Sequence, residues 1–116
     1  MRLSTREMLN VVFYEAGCEY RGFEISGHEE HEGEFGMICA AVSSCTMLVC
    51  NAITENFGAN AEVTVEENRV RLYLREYKVA AIRLLAAFYS HLEAISEDYG
   101  NIKLTIIEEG YNNDKD

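Results

Sequence analysis

The chain has 116 residues and carries 20 Asp and Glu against 10 Lys and Arg, a net charge of -10 at pH 7, with 48% hydrophobic residues. That length is one domain's worth, read as a single domain over 1–116, with enough apolar material for a core that needs no staples. The charge argues against nonspecific contact with RNA or DNA, whose phosphates demand basic surfaces, and leaves a basic protein or peptide as the easier partner.

The first ten residues, MRLSTREMLN, lack the apolar centre of a signal peptide, and no apolar run reads as long enough to span a bilayer, so a cytoplasmic protein without membrane contact is expected. Residues 1–7 read as a frayed leader. Leu9, Val11 and Phe13 then alternate with Asn10, Val12 and Tyr14, the period of a strand with one buried face. Gly17 supplies a turn, and Tyr20 to Ser26 continues the alternation through Phe23 and Ile25, giving an antiparallel hairpin. From Glu29 to Phe35 no period holds, and four glutamates with Gly33 and Gly36 read as a mobile surface loop.

A helix is expected from about Met37 to Phe57, burying Ile38, Ala41, Val42, Cys45, Leu48, Val49, Ala52 and Ile53, with Cys39, Ser43, Thr46 and Cys50 on the neighbouring stripe at the border of the core. Gly58 ends it. Residues 61–66 and 69–75 alternate around Glu67-Asn68, a second hairpin whose acidic and basic outer faces can pair across the strands. A second helix from about Tyr77 to Tyr99 buries Val79, Ile82, Leu85, Ala86, Tyr89 and Leu92, a fifth strand runs through Ile102, Leu104 and Ile106, and 110–116 is a polar tail. The order ββαββαβ points to an α+β fold of two layers, a mostly antiparallel five-stranded sheet with two helices on one face. Tyr14, Tyr73 and Ile107 fall on its other face, where they make a surface suited to a homodimer.

The chemistry concentrates between Gly27 and Ser44, GHEEHEGEFGMICAAVSS. His28 ends a strand and Cys39 enters a helix. A histidine can take the thiol proton, and a helix N-terminus favours the thiolate. The thiols Cys18, Cys39, Cys45 and Cys50 form no C-x-x-C pair and are read as free. His28, His31 and Cys39 are also a three-ligand zinc set in principle, but the carboxylates crowding His31 would recruit metals weakly in any case, and no metal or cofactor is expected. Glu32 and Glu34 both stand near enough in sequence to orient His28, and spacing does not choose between them.

Gly27-His28, the glycine-containing loop and Cys39-Ala40-Ala41-Val42-Ser43 resemble the bacterial ribosomal-processing cysteine proteases (Prp), which carry a Gly-His pair, a loop about ten residues long and a Cys-Ala-x-x-Ser helix start. The resemblance implies peptide hydrolysis by a His/Cys dyad, with His28 as base, Cys39 as nucleophile, and Gly27 and Ser43 in support. It makes Glu29, Glu30, His31, Glu32, Gly33, Glu34, Phe35 and Gly36 a lid over an extended peptide, and the backbone amides near Met37 to Ala40 the oxyanion donors. The implied substrate is a basic large-subunit ribosomal protein, trimmed of its N-terminal extension after an aromatic-rich motif, and the implied assembly is a homodimer. This sequence departs from the family's pattern at Gly36, where an aspartate is usual three residues before the cysteine, and in a loop one residue shorter. The alternative function is a catalytically inactive Prp-like module that binds the same ribosomal protein.

Overall fold

Strand β1 (Leu9–Ala16) alternates as its sequence requires, with Leu9, Val11 and Phe13 fully buried. The structure, a computed structural model, describes residues 8–27 and 33–109; the expected leader and tail lie outside them. β2 (Glu19–Ser26) returns antiparallel to β1, pairing Phe13 with Phe23 and Val11 with Ile25. Helix α1 (Gly33–Asn51) continues through a π-helical turn at Ala52–Asn56. The second hairpin is β3 (Ala61–Glu66) and β4 (Arg69–Leu74), followed by helix α2 (Val79–Tyr99) and β5 (Ile102–Glu108).

The sheet order is β3-β4-β2-β1-β5. All pairings are antiparallel except β1 with β5, which α2 makes possible as a crossover long enough to bring a strand back in parallel. The expected α+β architecture is the one found. Phe13, Phe23 and Leu72 form one row of the register beneath the helices. Phe88 of α2 closes on this row, with ring centroids 5.9 Å from Phe13 and 5.1 Å from Phe23. Tyr89 meets Phe13 edge-on at 5.1 Å and stacks on Tyr20 at 5.2 Å.

Two helix faces differ from the expected ones. In α1, Ala41 and Leu48 are exposed, Leu48 by 68%, while Phe35, Cys39, Thr46 and Cys50 are buried. Apolar or small residues occur all round this helix, so its periodicity leaves the phase open and packing decides it. The π turn shifts the register once more: the Phe57 amide donates to the Ala52 carbonyl, five residues back, at 2.8 Å, and Ile53 is fully buried. In α2, Val79 is 50% exposed and Ala86 is exposed, whereas Ala81 and Phe88 are core.

Against the sequence expectation, Gly33–Asn56 and Val79–Tyr99 are each long and apolar enough to cross a bilayer by length and composition. In this fold Val42, Val49 and Ile53 of the first, and Ile82, Leu85 and Leu92 of the second, are instead core side chains.

On the other face of the sheet, Gly22 lies between Tyr14 and Tyr73 in the register. A Cβ at Gly22 would stand 2.3 Å from the Leu72 carbonyl oxygen, so only glycine lets β4 approach there. The Tyr14 and Tyr73 rings meet at 5.9 Å, and the Arg71 guanidinium lies 5.4 and 5.5 Å from their centroids. The expected acid–base pairing of the second hairpin is present as Arg69–Glu66 at 3.1 Å and Arg75–Glu62.

Candidate active site

Cys39, Ser43, Thr46 and Cys50 recur at helical spacing and share one strip of α1. The strip faces inward rather than lying at the border of core and surface: Cys39 is 8% exposed, Thr46 1% and Cys50 4%, with Ser43 half-buried. The Thr46 hydroxyl is satisfied by donating to the Val42 carbonyl at 2.7 Å. Burial pushes the Cys50 thiol up to about 11. Cys18 is exposed in the β1–β2 turn and Cys45 is half-buried.

The helix begins earlier than its sequence suggested. Gly33, Glu34, Phe35 and Gly36, expected in the loop, are the first turn of α1, and Phe35 is buried at 5% exposure. Cys39 is thereby in the second turn, not the first. In an α-helix only the first four amides lack a partner within the helix, and here those belong to Gly33–Gly36. The amides of Met37 to Ala40, expected as oxyanion donors, are instead taken up by the helix itself. Gly33 misleads because glycine weakens a helical reading, yet it has φ +75 here and opens the helix. His28, Glu29, Glu30, His31 and Glu32 lie outside the described residues, and with them the expected base, the rest of the expected loop and two members of the considered zinc set.

What the described residues do form is a cleft of about 260 Å³ along the inward strip of α1. Ser43, Thr46 and Met47 make one wall, and Glu66, Glu67 and Val70 of the second hairpin make the other. Gly27 is fastened to that same hairpin, its amide donating to the Asn68 carbonyl at 3.1 Å. Its φ is +97, and a Cβ there would lie 3.0 Å from the Met8 carbonyl oxygen, so the position needs glycine on both counts. The end of β2 and the Ser43–Thr46 part of the strip therefore both meet the second hairpin, the first at Asn68 and the second across the cleft. A second cavity of about 200 Å³, lined by Glu34, Met37, Ile38, Ala41, Ile95 and Tyr99, lies on the flank of α1 turned away from Cys39. Sequence reasoning missed Met47, Glu66, Glu67 and Val70 as cleft residues. The hairpin tip was visible as a turn, but its approach to α1 is a tertiary contact with no local signal.

Residues 8–103 match the family model described as cysteine protease Prp. The chain belongs to the cysteine protease Prp family. SMU.848 from Streptococcus mutans has the same fold with a TM-score of 0.79 at 20% identity, over 88% of this chain and 99% of that one. The essential ribosomal processing protease Prp from S. aureus in complex with a substrate peptide gives 0.78 at 19% identity, over 86% of this chain and 100% of that one. The same protease with a covalently linked product peptide gives 0.75 at 19%, with the same coverage. At such identities these structures speak for the fold. No curated protein matches the chain significantly. Prp proteases work through a cysteine thiol, and the cleft-side strip of α1 carries two, one of which, Cys50, is held protonated deep in the core.

Proposed function

We propose that this chain is a cysteine endopeptidase acting in the cytoplasm, with Cys39 as nucleophile and His28 as base, and that it trims the N-terminal extension of a basic large-subunit ribosomal protein. The observation that carries the reading is the anchoring of Gly27 to Asn68 beside the cleft that runs along the Cys39 strip. His28 follows Gly27 directly in the chain. The S. aureus relative, described as a ribosomal processing protease and bound to a substrate peptide, supports the choice of substrate, as does the charge of -10 against a basic partner.

In this mechanism His28 takes the proton of the Cys39 thiol, and Sγ attacks the scissile carbonyl carbon to give a tetrahedral adduct. The adduct collapses as His28 returns the proton to the departing amine, leaving a thioester on Cys39. Water, deprotonated by His28, then attacks the thioester, and the thiol is regenerated. Ser43, one turn along α1 and lining the cleft, helps to seat the peptide.

The test is to incubate the ribosomal protein carrying its extension with the wild-type chain and with Cys39→Ala and His28→Ala variants, following its mass. Shortening by the wild type alone is expected. An extension left intact by the wild type overturns the protease reading, and stable binding without cleavage would point to the inactive module.

We further propose that the open sheet face pairs two copies. Tyr14, Tyr73 and the 45%-exposed Ile107 supply its apolar part. Arg69, Arg71 and Arg75 there are set against Glu24, Glu62 and Glu66, which relieves the repulsion between two acidic chains. Sedimentation of the wild type and of Ile107→Lys decides it, a dimer converted to a monomer being the expected result.

A further inference from the structure

The cleft beside the Cys39 strip suits one kind of side chain. Its volume, about 260 Å³, falls below the roughly 300–1,000 Å³ of typical small-molecule sites and matches one or two side chains. Met47 and Val70 offer apolar surface on opposite walls, and Glu66 and Glu67 stand at the hairpin tip. An aliphatic stem ending in a cation satisfies both parts, because Lys and Arg lay their methylenes along apolar surface and keep the charged head at a polar rim.

The two glutamates are not equivalent. Glu66 already holds Arg69 at 3.1 Å, so its charge is largely answered. Glu67 is exposed and makes no hydrogen bond or ion pair with another of the described residues. Distance sets the position of the side chain this cleft would take. Ser43 and Thr46 follow Cys39 by four and seven helical residues, about 6 and 10 Å along the axis. An extended peptide advances about 3.3 Å per residue, so the cleft lies two or three residues from a bond held at Cys39.

We propose that this cleft is a specificity pocket for a Lys or Arg of the substrate, two or three residues from the scissile bond, with Glu67 as the residue that selects the cation. The spacing rests on Cys39 being the nucleophile; the recognition itself does not require cleavage, and is tested without it.

The probe is a set of fluorescein-labelled 14-residue peptides spanning the junction between the extension and the mature ribosomal protein, each position replaced in turn by Lys, norleucine and Glu. Binding is read by anisotropy against the Cys39→Ala chain, alone and with Glu67→Gln or Glu67→Lys added. The expected result is one position two or three residues from the junction where Lys binds about tenfold tighter than Glu, with norleucine between. Glu67→Gln should shrink that preference and Glu67→Lys should invert it. Preferences within twofold at every position overturn the proposal, as does a ranking that Glu67→Lys leaves unchanged. Cleavage by the wild-type chain is followed in parallel: lysine-selective binding without cleavage removes the protease reading and leaves the pocket standing, while cleavage indifferent to Lys does the reverse.

Discussion

The Gly27 amide and the Asn68 carbonyl oxygen are joined by a 3.1 Å hydrogen bond that ties the end of β2 to the tip of the second hairpin. Residues 41 apart in sequence are thereby joined, and Asn68 directly follows Glu67, which lines the cleft opposite Ser43 and Thr46 of α1.

Replacing Gly27 tests this tie. Alanine there must adopt φ near +97 and bring a Cβ within 3.0 Å of the Met8 carbonyl oxygen. A loss of about 1–3 kcal/mol in urea unfolding is expected, together with a drop in cleavage larger than the stability loss explains, because Gly27 carries the base proposed at the next position.

The phase of α1 is tested by a pair of substitutions. Leu48, 68% exposed, is expected to tolerate Leu48→Gln within about 0.5 kcal/mol. Ile53, fully buried beyond the π turn, should cost about 2–5 kcal/mol on Ile53→Ala. Thermal or urea unfolding reads both, and comparable losses at the two positions would contradict the observed packing.

Cys50 gives the protein an alkaline limit. Its thiol, ordinarily near 9.0, is pushed to about 11 by burial. Between those values the unfolded chain has released a proton that the folded chain still holds, so rising pH favours unfolding. The stability is full below pH 9 and falls by about 2–3 kcal/mol on the way to pH 11, at about 1.36 kcal/mol per unit. Urea midpoints against pH should show a shallower decline in Cys50→Ala than in the wild type. Tyr73, whose hydroxyl burial and the Glu109 hydrogen bond also push up, titrates in both chains and cancels in that comparison.

Gly22→Ala probes the open face. Its Cβ would stand 2.3 Å from the Leu72 carbonyl oxygen, so β2 and β4 must separate. A loss of about 1–3 kcal/mol is expected from the overpacking, with the Tyr14–Tyr73 contact disturbed. If that face pairs two copies, sedimentation of the variant should show weakened association as well.

Gly36→Asp tests the position, three before the cysteine, where the sequence resemblance leads one to expect an aspartate. In the first turn of α1 it replaces a glycine, which costs a helix about 0.5–1 kcal/mol relative to alanine, with an anion at the positive end of the dipole. A higher melting temperature is expected, and steady-state cleavage shows whether the carboxylate also quickens the chemistry.

Much of this molecule was legible along the chain. The strand alternation of Leu9, Val11 and Phe13, the turns at Gly17 and Glu67-Asn68, and the order of elements follow from local rules, since period and turn chemistry act between near neighbours. The Gly-His and Cys-Ala-x-x-Ser motifs likewise pointed to the family that residues 8–103 match. Tertiary structure alone decided which side of α1 is buried, because Ala41 and Leu48 are as apolar as the residues that were chosen over them, and only the shape of the sheet distinguishes them. It also decided that α1 starts at Gly33, where the buried Phe35 repays a glycine's poor propensity. The cleft is of the same kind: Glu66, Glu67 and Val70 meet Ser43, Thr46 and Met47 across some twenty residues of chain, through a contact that no window of sequence contains.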